Sequence, residues 1–149
     1  MMVPRGLILA LLIGLVAGPV FGIILYQTDT HEQLVFVDGS SISILTEKID
    51  FDLGEEISIK IINSGTTELT FSDTSYGLEI KQLDGIVVFR PLSSQVISTL
   101  NSHDEIEFSW NQLKNNGEQI LEGSYKIMSV GFDDNKNIIK KSIIINILK

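Results

Sequence analysis

The chain of 149 residues has no cysteine, three prolines, two histidines and one tryptophan. Without cysteine there is no disulfide framework, no thiolate nucleophile and no residue to carry a lipoprotein's lipid, so stability has to come from a packed core. His31 and His103 stand far apart in polar stretches, which gives no support to a histidine metal cluster or a Ser-His-Asp arrangement. Asp133-Asp134-Asn135-Lys136-Asn137 lacks the alternating carboxylates and the glycine of a calcium loop and contains a lysine, so it reads as a hairpin turn. No glycine-rich phosphate loop and no Asn-x-Ser/Thr sequon occurs. No catalytic residue, no metal and no cofactor is therefore expected.

Positive charge is also scarce. Eleven Lys and Arg face nineteen Asp and Glu, a net charge of -8, or -9 once Arg5 is set aside with the leading segment. A nucleic-acid partner needs a basic stripe, so nucleic acid is excluded, and peripheral binding to anionic lipid is disfavoured. No heptad, low-complexity run or fixed repeat is present, which removes coiled coils and solenoids.

The longest apolar run is residues 6–25, GLILALLIGLVAGPVFGIIL, twenty positions without a charge. As a helix it spans ~30 Å, the thickness of a bilayer's hydrocarbon core. Residues 1–26 are thus expected to form a membrane anchor in contact with lipid, residues 27–33 a polar spacer, and residues 34–149 one exported domain. Arg5 before the run and Asp29 and Glu32 after it place the short N-terminus in the cytoplasm and the domain outside it. The alternative is a cleaved signal peptide, whose apolar core is usually ~7–15 residues and ends at a small-x-small site. A cut after Gly18 would leave Pro19 next, and one after Gly22 would leave an apolar terminus. Gly14, Gly18 and Gly22 recur every four residues along one helix face, a pattern that permits close packing of two such helices and hence a homodimer. The alternative is the ordinary frequency of glycine in membrane helices.

From Gln27 onward there are 19 isoleucines against 11 leucines, alternating with polar residues. β-Branched residues at a period of two predict an all-β domain. Strands are expected at residues 34–37, 41–45, 56–63, 69–71, 78–83, 86–89, 105–110, 124–132 and 143–147, with a brief edge segment at Val96 and Ile97. Asp84-Gly85 reads as a two-residue hairpin turn, which sets Ile80 opposite Phe89 on a buried face and Glu79 opposite Arg90 on an exposed one. About seven to nine short strands with one core tryptophan predict a two-sheet, immunoglobulin-like sandwich rather than a barrel. Tyr125, two residues after Gly123 at the start of a late strand, suits a tyrosine corner.

Pro91 ends a strand because it cannot donate to the ladder, so Arg90, Pro91, Leu92 and Ser93 leave the sheet as a candidate interaction loop. An exposed Arg followed by Pro is what a trypsin-like protease could bind without cleaving. The alternative is an ion pair of Arg90 with Glu79.

Leu53-Gly54-Glu55, the strand at 57–61, Asn63, Leu69-Thr70-Phe71, Tyr76, Leu78, Asp84-Gly85, Val88-Phe89, Trp110 and Gly123-x-Tyr125 together resemble the intracellular proteinase inhibitor (BsuPI-type) domain over residues 53–132. Phe89 stands where that family usually has tryptophan, and residues 93–96 replace a Phe-rich segment. The resemblance implies a sandwich fold and, as one function, inhibition of a serine protease. The expected protein is a membrane-anchored extracytoplasmic module that binds an unidentified protein partner, with a tethered protease inhibitor as the alternative.

Overall fold

The computed structural model describes residues 34–149. The expected anchor, its glycines Gly14, Gly18 and Gly22, and the spacer at 27–33 lie outside the described residues. Within them no helix is long and apolar enough to cross a membrane. The described residues form ten strands: β1 (Ile42–Thr46), β2 (Asp50–Asp52), β3 (Ile57–Asn63), β4 (Leu69–Phe71), β5 (Glu79–Gln82), β6 (Val87–Phe89), β7 (Ser98–Leu100), β8 (Glu105–Trp110), β9 (Gly123–Phe132) and β10 (Ile138–Leu148).

Two sheets result. One has the order β1-β3-β8; the larger has β2-β10-β9-β4-β7, with β5 also paired to β9 and β6 to β5. The strand period explains both inner faces. On β3, Ile57, Ile59 and Ile61 are fully buried while Ser58 and Lys60 point outward to Glu107 and Glu105. Each such isoleucine contributes roughly 1.5–3 kcal/mol of apolar burial. On β10, Ile145 and Ile147 are buried, and on β9 Tyr125 and Ile127 face the same core. The two inner faces meet at Trp110 of β8, whose ring lies edge-on to Tyr125 at 6.1 Å and tilted against Phe89 at 6.0 Å. This is a β-sandwich-like, all-β domain.

β9 is central, with β10 on one side and β5 and β4 on the other. Its alternation puts apolar side chains on both faces, as a strand with neighbours on both edges requires. Tyr125 Oη donates to the Leu121 carbonyl at 2.8 Å, the bond expected of a tyrosine corner. Tyr125→Phe is expected to cost about 1 kcal/mol, read from urea unfolding, because one net hydrogen bond is lost and ring packing is retained.

The structure departs from the sequence expectations at five places. Asp50–Asp52 form a strand, β2, where none is expected, and β10 begins at Ile138 rather than at residue 143. Residues 34–37 are not a strand: Val37 N–H donates to the Ser64 carbonyl, and Phe36 lies edge-on to His103 at 4.5 Å, so the segment crosses an end of the domain with Val35 and Phe36 exposed. The edge segment is β7 at Ser98–Leu100, because Leu100 supplies the buried side chain while Val96 and Ile97 stay exposed. The β5–β6 turn has three residues, not two. Gly85 N–H donates to the Gln82 carbonyl, and Gly85 alone takes a positive φ, +93°, so a type I turn with a glycine bulge replaces the mirror-image turn. Lys81 then faces Val87, and a second bulge between Ile80 and Lys81 restores the expected Ile80–Phe89 pair.

Candidate interaction surface

Phe89 is the last residue of β6, and Pro91 follows without an N–H to continue the ladder. The shoulders of the loop at 90–97 are fastened by specific hydrogen bonds. Asn115 holds the first: its Oδ1 accepts from Arg90 N–H at 3.0 Å and its own N–H donates to the Val88 carbonyl at 3.0 Å. Thr74 holds the second, with its Oγ1 accepting from Ser94 N–H at 2.8 Å and its N–H donating to the Ser94 carbonyl. Between them Leu92 is fully exposed, and just beyond the second Val96 and Ile97 are 59% and 71% exposed. Three large apolar side chains within six residues of a fastened loop present an apolar surface to solvent.

Arg90 forms the pair expected across the hairpin. Its guanidinium contacts Glu79 Oε1, while Lys81 Nζ lies 2.6 Å from Oε2 of the same carboxylate. The two cations share one mostly buried acid, so Arg90 is held against the hairpin rather than projecting. Beside it lies an open cleft of about 270 Å³ lined by Asp73, Ser75, Glu79, Arg90, Val130 and Phe132.

The Ser75 hydroxyl holds the Asp73 carboxyl below its ordinary range, supported by Ser75 N–H, the Ser93 hydroxyl and the charge of Arg90, against an opposing desolvation. A depressed folded pKa means that this stabilisation is complete above the unfolded value of ~3.9 and is lost as pH falls through the lower folded value. Amide protection at Ser75, whose N–H donates to Asp73 Oδ1, is expected to hold from pH 7 to 5 and to fall below about pH 4. Hydrogen exchange measures it, and Asp73→Asn should abolish the pH dependence.

The structure brings Arg90, Ser93, Asp73 and Glu79 to one neighbourhood, and leaves Leu92 outside it. Sequence reading missed Thr74 and Asn115 as fasteners and Gln112 as a buried pin. Gln112 sits at φ +59°, donates from Nε2 to the Asp52 carbonyl and accepts Gly54 N–H on Oε1, tying the β2–β3 turn to the β8–β9 loop. An amide inside a polar run gave no signal of burial. Among the described residues no group of three or more His, Cys, Asp or Glu is placed to hold a metal.

No protein-family model matches the chain, and no curated protein matches it. Among solved structures it is similar to Spo0M, a sporulation control protein from Bacillus subtilis, at 10% identity and a TM-score of 0.47, over 76% of this chain. The chain spans about half (51%) of the length of that protein.

Proposed function

We propose that this protein is a membrane-anchored, extracytoplasmic module with an immunoglobulin-like sandwich, acting by protein–protein contact rather than catalysis, and that the loop at 90–97 is its contact surface. The observation that carries the reading is the exposure of Leu92 between the fastened points Arg90 and Ser94, together with that of Val96 and Ile97 just beyond Ser94. An ordered apolar loop loses little conformational entropy on binding, so its burial contributes to affinity. The passage of the chain from β1 in one sheet to β2 in the other, the Tyr125–Leu121 bond and the buried Trp110 support the immunoglobulin-like assignment. The uncharged run at 6–25 supports the anchor.

The test is a photo-crosslinker at Leu92 of the full chain in native membranes. A specific adduct, lost when Val96 and Ile97 are changed to Asp, is expected. Equal labelling by the double variant would refute the loop as the contact surface.

A tethered serine protease inhibitor is the second reading, favoured by a half-exposed Arg90 followed by Pro91 in a fastened loop and by the BsuPI-type resemblance. The ion pair to Glu79 opposes it, since a protease pocket would have to strip Arg90 from that acid. Full residual activity of trypsin-like proteases with excess full-length protein in detergent would eliminate it.

A further inference from the structure

We propose that the free edge of β8 accepts an extended segment of a protein partner, alternating basic and apolar residues, as an added strand of the smaller sheet. That sheet has the order β1-β3-β8, so β3 pairs with one edge of β8 and, among the described residues, no strand pairs with the other. The gap follows from the path of the chain. β7, which precedes β8, pairs with β4 in the larger sheet, and β9, which follows it, lies in that sheet too, between β10 and β5. Edge strands are commonly blunted by proline, by a bulge or by an inward-pointing charge. β8 has none of these: its register against β3 runs without a shift from Glu105–Ile62 to Trp110–Ile57, it contains no proline, and its inward row is apolar. Six residues extend ~20 Å, and every second one turns its N–H and C=O to the open side, the template on which an extended peptide adds.

The two rows of side chains on β8 define what such a segment must carry. On the inward row Trp110 is fully buried, but Ile106 and Phe108 pack against the core and stay only half-buried. Tyr76, also half-buried, meets Phe108 with ring centroids 6.3 Å apart. Apolar side chains on the inward row of an added strand would cover this margin of the core. On the outward row Glu105, Glu107 and Ser109 are all exposed. Lys60 Nζ lies 3.2 Å from Glu105, whereas Glu107 accepts the Ser58 hydroxyl and Glu56 the Ser109 hydroxyl. Among the described residues neither Glu107 nor Glu56 has an ion pair, so three carboxylates on this face share one lysine. Residues directly opposite on an added strand lie ~4.5–5.5 Å away between Cβ atoms, within reach of a basic side chain.

That charge pattern selects the occupant. Antiparallel pairing of two copies through this edge would set the glutamates of one β8 against those of the other, and an acidic strand would meet the same repulsion. A basic strand turns it into attraction, supported at longer range by the net charge of -8. The edge belongs to the smaller sheet, whereas the loop at 90–97 joins β6 to β7, both in the larger one. The proposal therefore depends neither on that loop nor on the membrane reading.

The probe is a fluorescein-labelled peptide of four Lys-Val repeats, added to the full chain in micelles of a non-ionic detergent and followed by anisotropy and hydrogen exchange. Saturable binding with new amide protection within 105–110 is expected. Glu107→Lys should weaken binding about threefold or more, and Glu105→Lys with Glu107→Lys about tenfold or more, with binding transferred to a peptide of four Glu-Val repeats. Glu122→Lys makes the same change of charge at an exposed position between β8 and β9, off the edge, and should leave binding within twofold, about the effect of net charge alone. Absence of saturable binding, new protection only outside 105–110, or equal weakening by Glu107→Lys and Glu122→Lys would overturn the proposal. So would protection of 105–110 that rises with protein concentration without peptide, which would make a second copy the occupant.

Discussion

Trp110→Ala is expected to lower the free energy of unfolding by ~3–5 kcal/mol and the melting temperature by on the order of 15 °C. Trp110 is fully buried and is the point at which the small sheet meets the large one, in contact with Phe89 of β6 and Tyr125 of β9. Removing the indole deletes the largest buried side chain and leaves a cavity bounded by strands of two sheets, which cannot collapse into it independently. The indole Nε1–H also donates to the Leu113 carbonyl at 2.9 Å, so the start of the β8–β9 loop loses its fastening. Trp110→Phe retains most of the volume and should cost less than half as much. Denaturant melts of the full chain in detergent measure both; a loss below about 1 kcal/mol for Trp110→Ala would mean that the sheets do not meet there.

The second large effect is expected at Gly77. Its φ is +63°, and a Cβ built on it would lie 2.1 Å from the Val130 carbonyl oxygen and 2.7 Å from Val130 N. Both neighbours are backbone atoms of β9, so neither can swing aside. Gly77→Ala should therefore cost ~3 kcal/mol or more, at the upper end of overpacking effects. Gly117→Ala is the control: its φ is +83°, but no atom lies within 4 Å of the added methyl, and only the left-handed backbone penalty of ~1–2 kcal/mol applies. Equal losses in the two variants would show that the approach of the 76–78 segment to β9 is loose. That approach also holds Tyr76 at φ +52°, a conformation costly for an aromatic residue, with its carbonyl accepting the Ser129 hydroxyl at 2.7 Å.

Much of this architecture was readable from alternation alone. β8 shows a period of two over six residues and β3 over five, and β9 shows apolar side chains on both faces, so their existence and burial followed from the pattern; β10 was legible only at 143–147, since Ile138-Ile139-Lys140-Lys141 does not alternate in sequence although its burial does. β2 and β7 have three residues each, too few to display a period, and are fixed by their neighbours: Phe51 by Ile147 of β10, Leu100 by Leu69 of β4. Residues 34–37 carry an apolar pattern without a partner strand, and there pattern misleads. In the hairpin, Asp84-Gly85 fits two turn types that differ by one residue in loop length, and the bulge that reconciles the registers has no sequence mark. The loop at 90–97 was legible as a departure from the sheet because Pro91 forces it. Its fastening was not, since Thr74 and Asn115 lie 20 and 25 residues away in sequence from the backbone groups they hold.

The parallel pairing of β2 with β10 has a mechanical consequence. The chain runs in the same direction along both strands, so tension applied between residue 49 and residue 148 would pull them past each other lengthwise. The pairs Asp50–Asn146, Phe51–Ile147 and Asp52–Leu148 would then share the force at once, in shear, instead of peeling apart one after another. Rupture of this clasp would be governed by an unfolding rate rather than by equilibrium stability. Three short rungs at the rim of the larger sheet thus set how hard the domain can be tugged before it gives way.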